Sequence, residues 1–194
     1  MSLPPSEIPL GAIRFNSDSQ KLEYWIGSAW MQIQTFSPNL DGGARGLIGA
    51  RYHTAYLNIV DFITISTQGN ATDFGDDTNG FYGQAGGSSN TRAIYAGGSN
   101  PSTGNSNEMR FATFSSTGNF ADFGDLTTGR RGNGSVSNQT RFVIGGGYDG
   151  SNYTNIIDYV TIASTGDALD FGDTVAGTAN MGGVNSPTRG VFCN

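Results

Sequence analysis

Short runs in which apolar and polar residues alternate fill this chain from residue 11 onward, each run closed by glycine, serine, threonine or asparagine. A period of two sends successive side chains to opposite faces of a strand, and the small polar residues between runs supply turns. The pattern predicts an all-β chain of antiparallel strands. Residues 157–164 are the clearest case, with Asp158, Val160 and Ile162 on one face and Ile157, Tyr159, Thr161 and Ala163 on the other. Bulk on both faces predicts a sheet covered on two sides. Residues 11–36 read as a three-stranded meander, with strands at 11–16, 21–26 and 29–34. Before it, residues 1–10 carry three prolines and read as an extended arm. Residues 37–44 are a linker to the repeat body at 45–194.

That body is a tandem array. Asp73-Phe74-Gly75-Asp76 returns as Asp122-Phe123-Gly124-Asp125 and again as Asp170-Phe171-Gly172-Asp173, and Arg45, Arg92, Arg141 and Arg189 each open a short apolar run. The copies span 45–91, 92–140 and 141–188, with a partial copy at 189–194. A period near 48 residues with several short strands belongs to propeller blades or stacked β-modules. Each copy reads as an Arg-led strand, an aromatic-bearing strand, a strand with Asp-Phe-Gly-Asp and a Gly-rich strand expected at the outer edge. Copying also argues against an enzyme, because catalysis needs unlike groups converging at one place.

Composition narrows the function further. The formal charge is −6 and the pI is about 4.5, which disfavours nucleic acid as a partner. No apolar run of membrane-spanning length appears, so membrane insertion is not expected. Cys193 is the sole cysteine, which excludes an internal disulfide. The residues 1–7 lack the pattern of a secretory signal, so synthesis in the cytosol is expected.

The Arg-led strand, the glycine pairs Gly97-Gly98 and Gly145-Gly146, and the aromatic strand together resemble a kelch-type propeller blade, with Phe74, Phe123 and Phe171 where kelch blades carry tryptophan. Four blades would result if the meander at 11–36 closed the ring; alternatively the meander is a separate docking module and subunits pack around an axis, a trimer being one such arrangement. Residues 8–16, Lys21-Leu-Glu-Tyr-Trp25, Ser28-Ala-Trp30 and the repeat wording at 155–173 are similar to virion structural proteins of cyanophages and other marine tailed phages. That resemblance implies a non-enzymatic particle component: a capsid decoration or cement protein, or a head or tail fibre component. It implies assembly in the host cytoplasm, other virion proteins as partners and a homo-oligomeric state. No cofactor is expected.

Candidate sites are few. Asp73, Asp76, Asp122, Asp125, Asp170 and Asp173 are weak candidates for Ca²⁺, because carboxylates at this spacing in a turn offer oxygen ligands, but capping of their own turns is the stronger reading. The arginines 45, 92, 141 and 189 and the phenylalanines 74, 123 and 171 are structural landmarks, the guanidinium groups being suited to tying loop carbonyls together. His53, the sole histidine, has no sequence partner for catalysis or metal binding. Tyr52, Tyr56, Tyr148 and Tyr153 are candidate partner contacts, because tyrosine gives contact area at low entropy cost. They support an alternative function, an adhesin that recognises host surface polysaccharide through Tyr- and Asn-rich loops.

Overall fold

A computed structural model of the chain describes residues 8–17, 21–33, 45–52 and 55–193, with the backbone alone at 50–52. The first residues of the arm, the linker, His53 and the side chain of Tyr52 lie outside the described residues. The chain is all-β: eighteen strands in several small sheets, and no helix among the described residues. No closed barrel or propeller is found among those sheets. It divides into two units, Met1–Pro38 and Asn39–Asn194.

In the first unit, β1 (Ile13–Asn16), β2 (Lys21–Trp25) and β3 (Trp30–Gln32) form an antiparallel sheet in chain order. The register sets Arg14 opposite Glu23 and Trp25 opposite Trp30. On that face Arg14 Nε and Asn16 Nδ2 each donate to the Glu23 carboxylate at 2.9 Å, and the Arg14 guanidinium lies 4.2 Å from the Trp30 ring centre. These two hydrogen bonds, Asn16's first and Arg14's with its charge next, hold the Glu23 carboxyl below the usual range although burial opposes them. The pleat puts Ile13, Phe15, Leu22, Tyr24 and Met31 together on the other face, and all five are exposed.

The second unit holds four main sheets and one small two-stranded one. The first is β4 (Arg45–Tyr52), β5 (Tyr56–Thr64) and β6 (Thr72–Asp76). The second is β7 (Ala85–Ser88), β8 (Arg92–Ala96), β11 (Glu108–Thr113) and β12 (Ala121–Asp125), with the small hairpin β9 (Ser99–Asn100) and β10 (Gly104–Asn105) inserted after β8. The third is β13 (Gly134–Ser137), β14 (Arg141–Gly145), β15 (Ile156–Thr161) and β16 (Leu169–Asp173). The fourth is the pair β17 (Gly182–Asn185) and β18 (Gly190–Cys193). Each full sheet is an up-and-down meander in chain order.

The sheets and the sequence copies are out of phase. Each Gly-rich strand pairs with the Arg-led strand of the following copy: Ala85 opposite Ala96, Gly134 opposite Gly145, Gly182 opposite Cys193. Tight hairpins enforce this, since Ser89, Asn138 and Ser186 each donate a backbone N–H to the carbonyl of Arg92, Arg141 and Arg189 at 2.8–3.0 Å. The Gly-rich strand is therefore an edge, but of the next copy's sheet. A β-bulge recurs at Val60/Asp61, Met109/Arg110 and Ile157/Asp158, opposite the glycine of each Asp-Phe-Gly-Asp, whose φ is +132° to +146°.

Neighbouring sheets enclose the core between them. Val60, Phe74, Tyr95, Phe114 and Phe120 fill the space between the first and second sheets, and Ile94, Met109, Phe123, Phe142, Ile144 and Ile162 that between the second and third. Gly87 lets the Phe142 ring lie directly on β7, where any Cβ would collide with it.

Candidate functional site

Successive sheets are joined by main chain as well as by side chains. The carbonyls of Phe74 and Asp76 accept from the N–H of Gly118 and Phe120, both at 2.8 Å, and those of Phe123 and Asp125 accept from Gly166 and Ala168 at 2.6 and 2.8 Å. Asn119 Oδ1 and Asp167 Oδ1 accept from the Asp76 and Asp125 N–H groups, both at 3.0 Å. A Cβ at Gly75 or Gly124 would strike the carbonyl of Gly118 or Gly166, so these seams close only on glycine. Phe74 and Phe123, each 2% exposed, are sealed beneath them; Phe171 is 53% exposed, and Gly172 has nothing beside it.

Two of the four Arg landmarks, Arg45 and Arg92, tie neighbouring sheets together. Arg45 Nη1 donates to the Phe114 carbonyl at 2.6 Å, with its guanidinium 4.7 Å from the Phe62 ring centre. Arg92 donates to the carbonyls of Ile162 and Ala163 at 3.1 and 2.9 Å and stacks on Phe111. Arg141 stacks on Tyr159, and Arg189 is exposed and lines a small cavity with Arg141 and Phe171. Of the aspartates in the motif, Asp122 and Asp170 accept from the N–H of Gly124 and Gly172 at 3.2 and 3.0 Å, capping their own turns. Among the described residues no group of three or more His, Cys, Asp or Glu side chains is placed to hold a metal ion.

Two buried ion pairs were not foreseen from the sequence. Asp77 Oδ1 lies 2.9 Å from Arg110 Nε, and Asp158 Oδ2 lies 3.1 Å from Arg130 Nη2, with all four side chains at 0–1% exposure. Arg110 also donates to Gln84 Oε1 at 2.7 Å and stacks 4.2 Å from the Phe81 ring centre. Asp158 also accepts from the Thr127 hydroxyl at 2.8 Å. Burial pushes the Asp77 carboxyl up and the Arg110 and Arg130 guanidinium groups down, each against the pull of its partner. One signal was in the sequence: Arg110 stands where the other copies have Asp61 and Asp158.

One edge of the sheet series carries a file of aromatic rings. The Tyr56 and Tyr82 rings meet at 5.6 Å and a tilt of 42°, the Arg131 guanidinium lies 5.4 Å from the Tyr82 ring centre and 5.2 Å from that of Tyr148, and Tyr148 meets Tyr153 at 5.4 Å. Three of the four candidate tyrosines thus fall in one line. Tyr82 and Arg131, which link them, escaped the sequence reading because neither residue is copied between repeats. Arg131 and Tyr148 exchange backbone hydrogen bonds at 3.1 and 2.8 Å, and Arg131 Nη1 donates to the Tyr82 hydroxyl at 2.6 Å. The Asp149 carboxyl in the adjoining loop is held below the usual range by the N–H groups of Asn152 and Ser151.

No protein-family model matches this sequence, and no curated protein matches it.

Proposed function

We propose that this chain is a non-enzymatic structural protein of a tailed-phage particle, in which the repeat body is a rigid exposed β-module and residues 1–36 serve as an anchor to other virion proteins. The observation that carries this reading is the glycine-closed seam. Main-chain bonds and buried rings fix one sheet to the next, and the most deeply buried charges neutralise each other between elements instead of facing a cleft. Such an interior suits stiffness and lasting contact. The four-stranded meanders joined edge by edge support a propeller-like body, and several copies assembling together would cover Phe171.

The first unit supports the anchoring role. A three-stranded sheet alone is marginal in water, and its face of Ile13, Phe15, Leu22, Tyr24 and Met31 gains stability when another protein covers it. Removing residues 1–36 abolishes incorporation into particles while the body still folds, and Phe15→Glu with Leu22→Glu does the same within the full chain. Incorporation at the normal level in both variants overturns the anchoring role.

The file of tyrosines favours the adhesin reading as a second function of the exposed body, with recognition of host glycan through the loops at 80–83, 129–132 and 148–153.

A further inference from the structure

Where the repeats stop copying one another, they build a cleft. The equivalent segments are Gly80-Phe81-Tyr82-Gly83, Gly129-Arg130-Arg131-Gly132 and Gly177-Thr178-Ala179-Asn180. One column therefore runs Tyr82, Arg131, Ala179, and the next runs Gly83, Gly132, Asn180. Tyr82 covers Arg131 from one copy, whereas Ala179 offers a single methyl from another, and a cavity of about 280 Å³ lies between. Its walls include Arg131, Tyr82, Tyr148, Tyr153 and Asn180.

Asn180 is the second departure. Gly83 and Gly132 take φ of +67°, a region that glycine enters freely; Asn180 holds φ of +59° and is the one non-glycine residue with positive φ among the described residues. Asparagine tolerates this conformation better than most residues, so the turn survives while an amide is added. Its Oδ1 would lie 2.8 Å from a Cβ at Gly132, which places the amide over that glycine and next to Arg131.

Arg131 has spare capacity. Arg45 and Arg92 donate to carbonyls, and Arg110 and Arg130 face buried carboxylates. Among the described residues the Arg131 guanidinium makes one hydrogen bond, to the Tyr82 hydroxyl, and has no carboxylate within ion-pair distance. Its main chain is nonetheless fixed by the two backbone bonds to Tyr148, whose carbonyl also accepts from Asn105 Nδ2 at 2.8 Å, and its guanidinium by the Tyr82 hydroxyl and the rings of Tyr82 and Tyr148. A held guanidinium with free donors matches a planar carboxylate, which it can bind through two parallel hydrogen bonds.

We propose that the cleft between Arg131, Tyr82, Tyr148, Tyr153 and Asn180 binds one acidic sugar residue, its carboxylate on Arg131 and its ring against the tyrosines. Tyrosine faces offer large apolar area to the C–H face of a pyranose, and phenol and amide groups serve its hydroxyls. The cavity is smaller than the roughly 300–1,000 Å³ of a drug-sized site, which fits a single ring. A chain of net charge −6 repels a dense polyanion, so the acid sugar stands at a terminus or alone within a neutral glycan. This deepens the adhesin reading and is independent of the anchoring role of residues 1–36.

The test is saturation-transfer and titration NMR on the full chain with methyl β-D-glucuronide and methyl β-D-glucoside. The glucuronide is expected to bind at least tenfold more tightly and to shift the ring resonances of Tyr148 and Tyr153. Arg131→Gln is expected to erase that preference. Ala179→Trp, which fills the cavity without touching the hydrogen bonds of Arg131, is expected to weaken binding at least tenfold at an unchanged melting temperature. Equal affinity for the two glycosides, no saturation transfer from either, or full binding by Ala179→Trp overturns the proposal. Each of those results leaves the particle-incorporation assay of the 1–36 deletion unaffected.

Discussion

Arg130 and Asp158 meet out of reach of solvent, with Nη2 3.1 Å from Oδ2, although they lie in different segments of the array. Arg130 belongs to the loop before β13 and Asp158 to β15, so the pair fixes the loop onto its sheet. Asp158→Ala strands a buried guanidinium and is expected to cost about 3–5 kcal/mol, read by urea denaturation. A loss below about 1 kcal/mol would mean that Thr127 or the backbone takes over the charge.

Gly124 and Gly172 occupy the same place in two copies and have similar φ, +136° and +132°, but only Gly124 has a neighbouring backbone against it. Replacing each by alanine adds the same backbone strain, so the difference between them isolates the seam. Gly124→Ala is expected to be less stable than Gly172→Ala by about 1–3 kcal/mol. Equal denaturation midpoints would show that the seam yields without cost.

Arg92 bridges to the carbonyls of Ile162 and Ala163, whereas for Arg141 the described contact is the Tyr159 ring. Arg92→Met keeps the stem and removes the donors, and is expected to lose about 1 kcal/mol, since the group is half-buried and partly screened. The same change at Arg141 is expected to stay within about 0.5 kcal/mol. Thermal unfolding of the two variants side by side decides it.

Asp149 gives a prediction in pH. Its folded carboxyl titrates below the ordinary value because the Asn152 and Ser151 N–H groups bind the ionised form. A depressed value means that the loop's stabilisation is complete above the unfolded value of about 3.9 and is lost as pH falls through the lower folded value. The amide resonances of Ser151 and Asn152 are expected to move with a midpoint below that of a free aspartate, and Asp149→Asn to abolish the transition. A midpoint at or above the free value contradicts the hydrogen-bonded turn.

Strands, turns and the array were legible in the sequence because each depends on short-range pattern: alternation in β15, glycine and serine at hairpins, and the recurrence of Asp-Phe-Gly-Asp. The pairing partner of the Gly-rich strand was not, since a weakly apolar run such as residues 85–88 carries no sign of which neighbour it joins. The Ser89-Asn90-Thr91 hairpin decides that. Phe171 reads like Phe74 and Phe123 in sequence, yet its exposure depends on what lies across the seam. Asp77–Arg110 and the Arg131 cleft were hidden for a related reason: the period carries only what is copied, and these residues are the ones that vary.

The offset between sheets and copies has a consequence for how such a body changes length. Because the hairpins at 89–91, 138–140 and 186–188 lace one copy to its successor, excising or inserting a whole period rejoins equivalent strands, while pairs that are not copied, such as Asp77 with Arg110, survive only where both partners are kept. A fractional change leaves a torn sheet, so viable lengths come in steps of one full period.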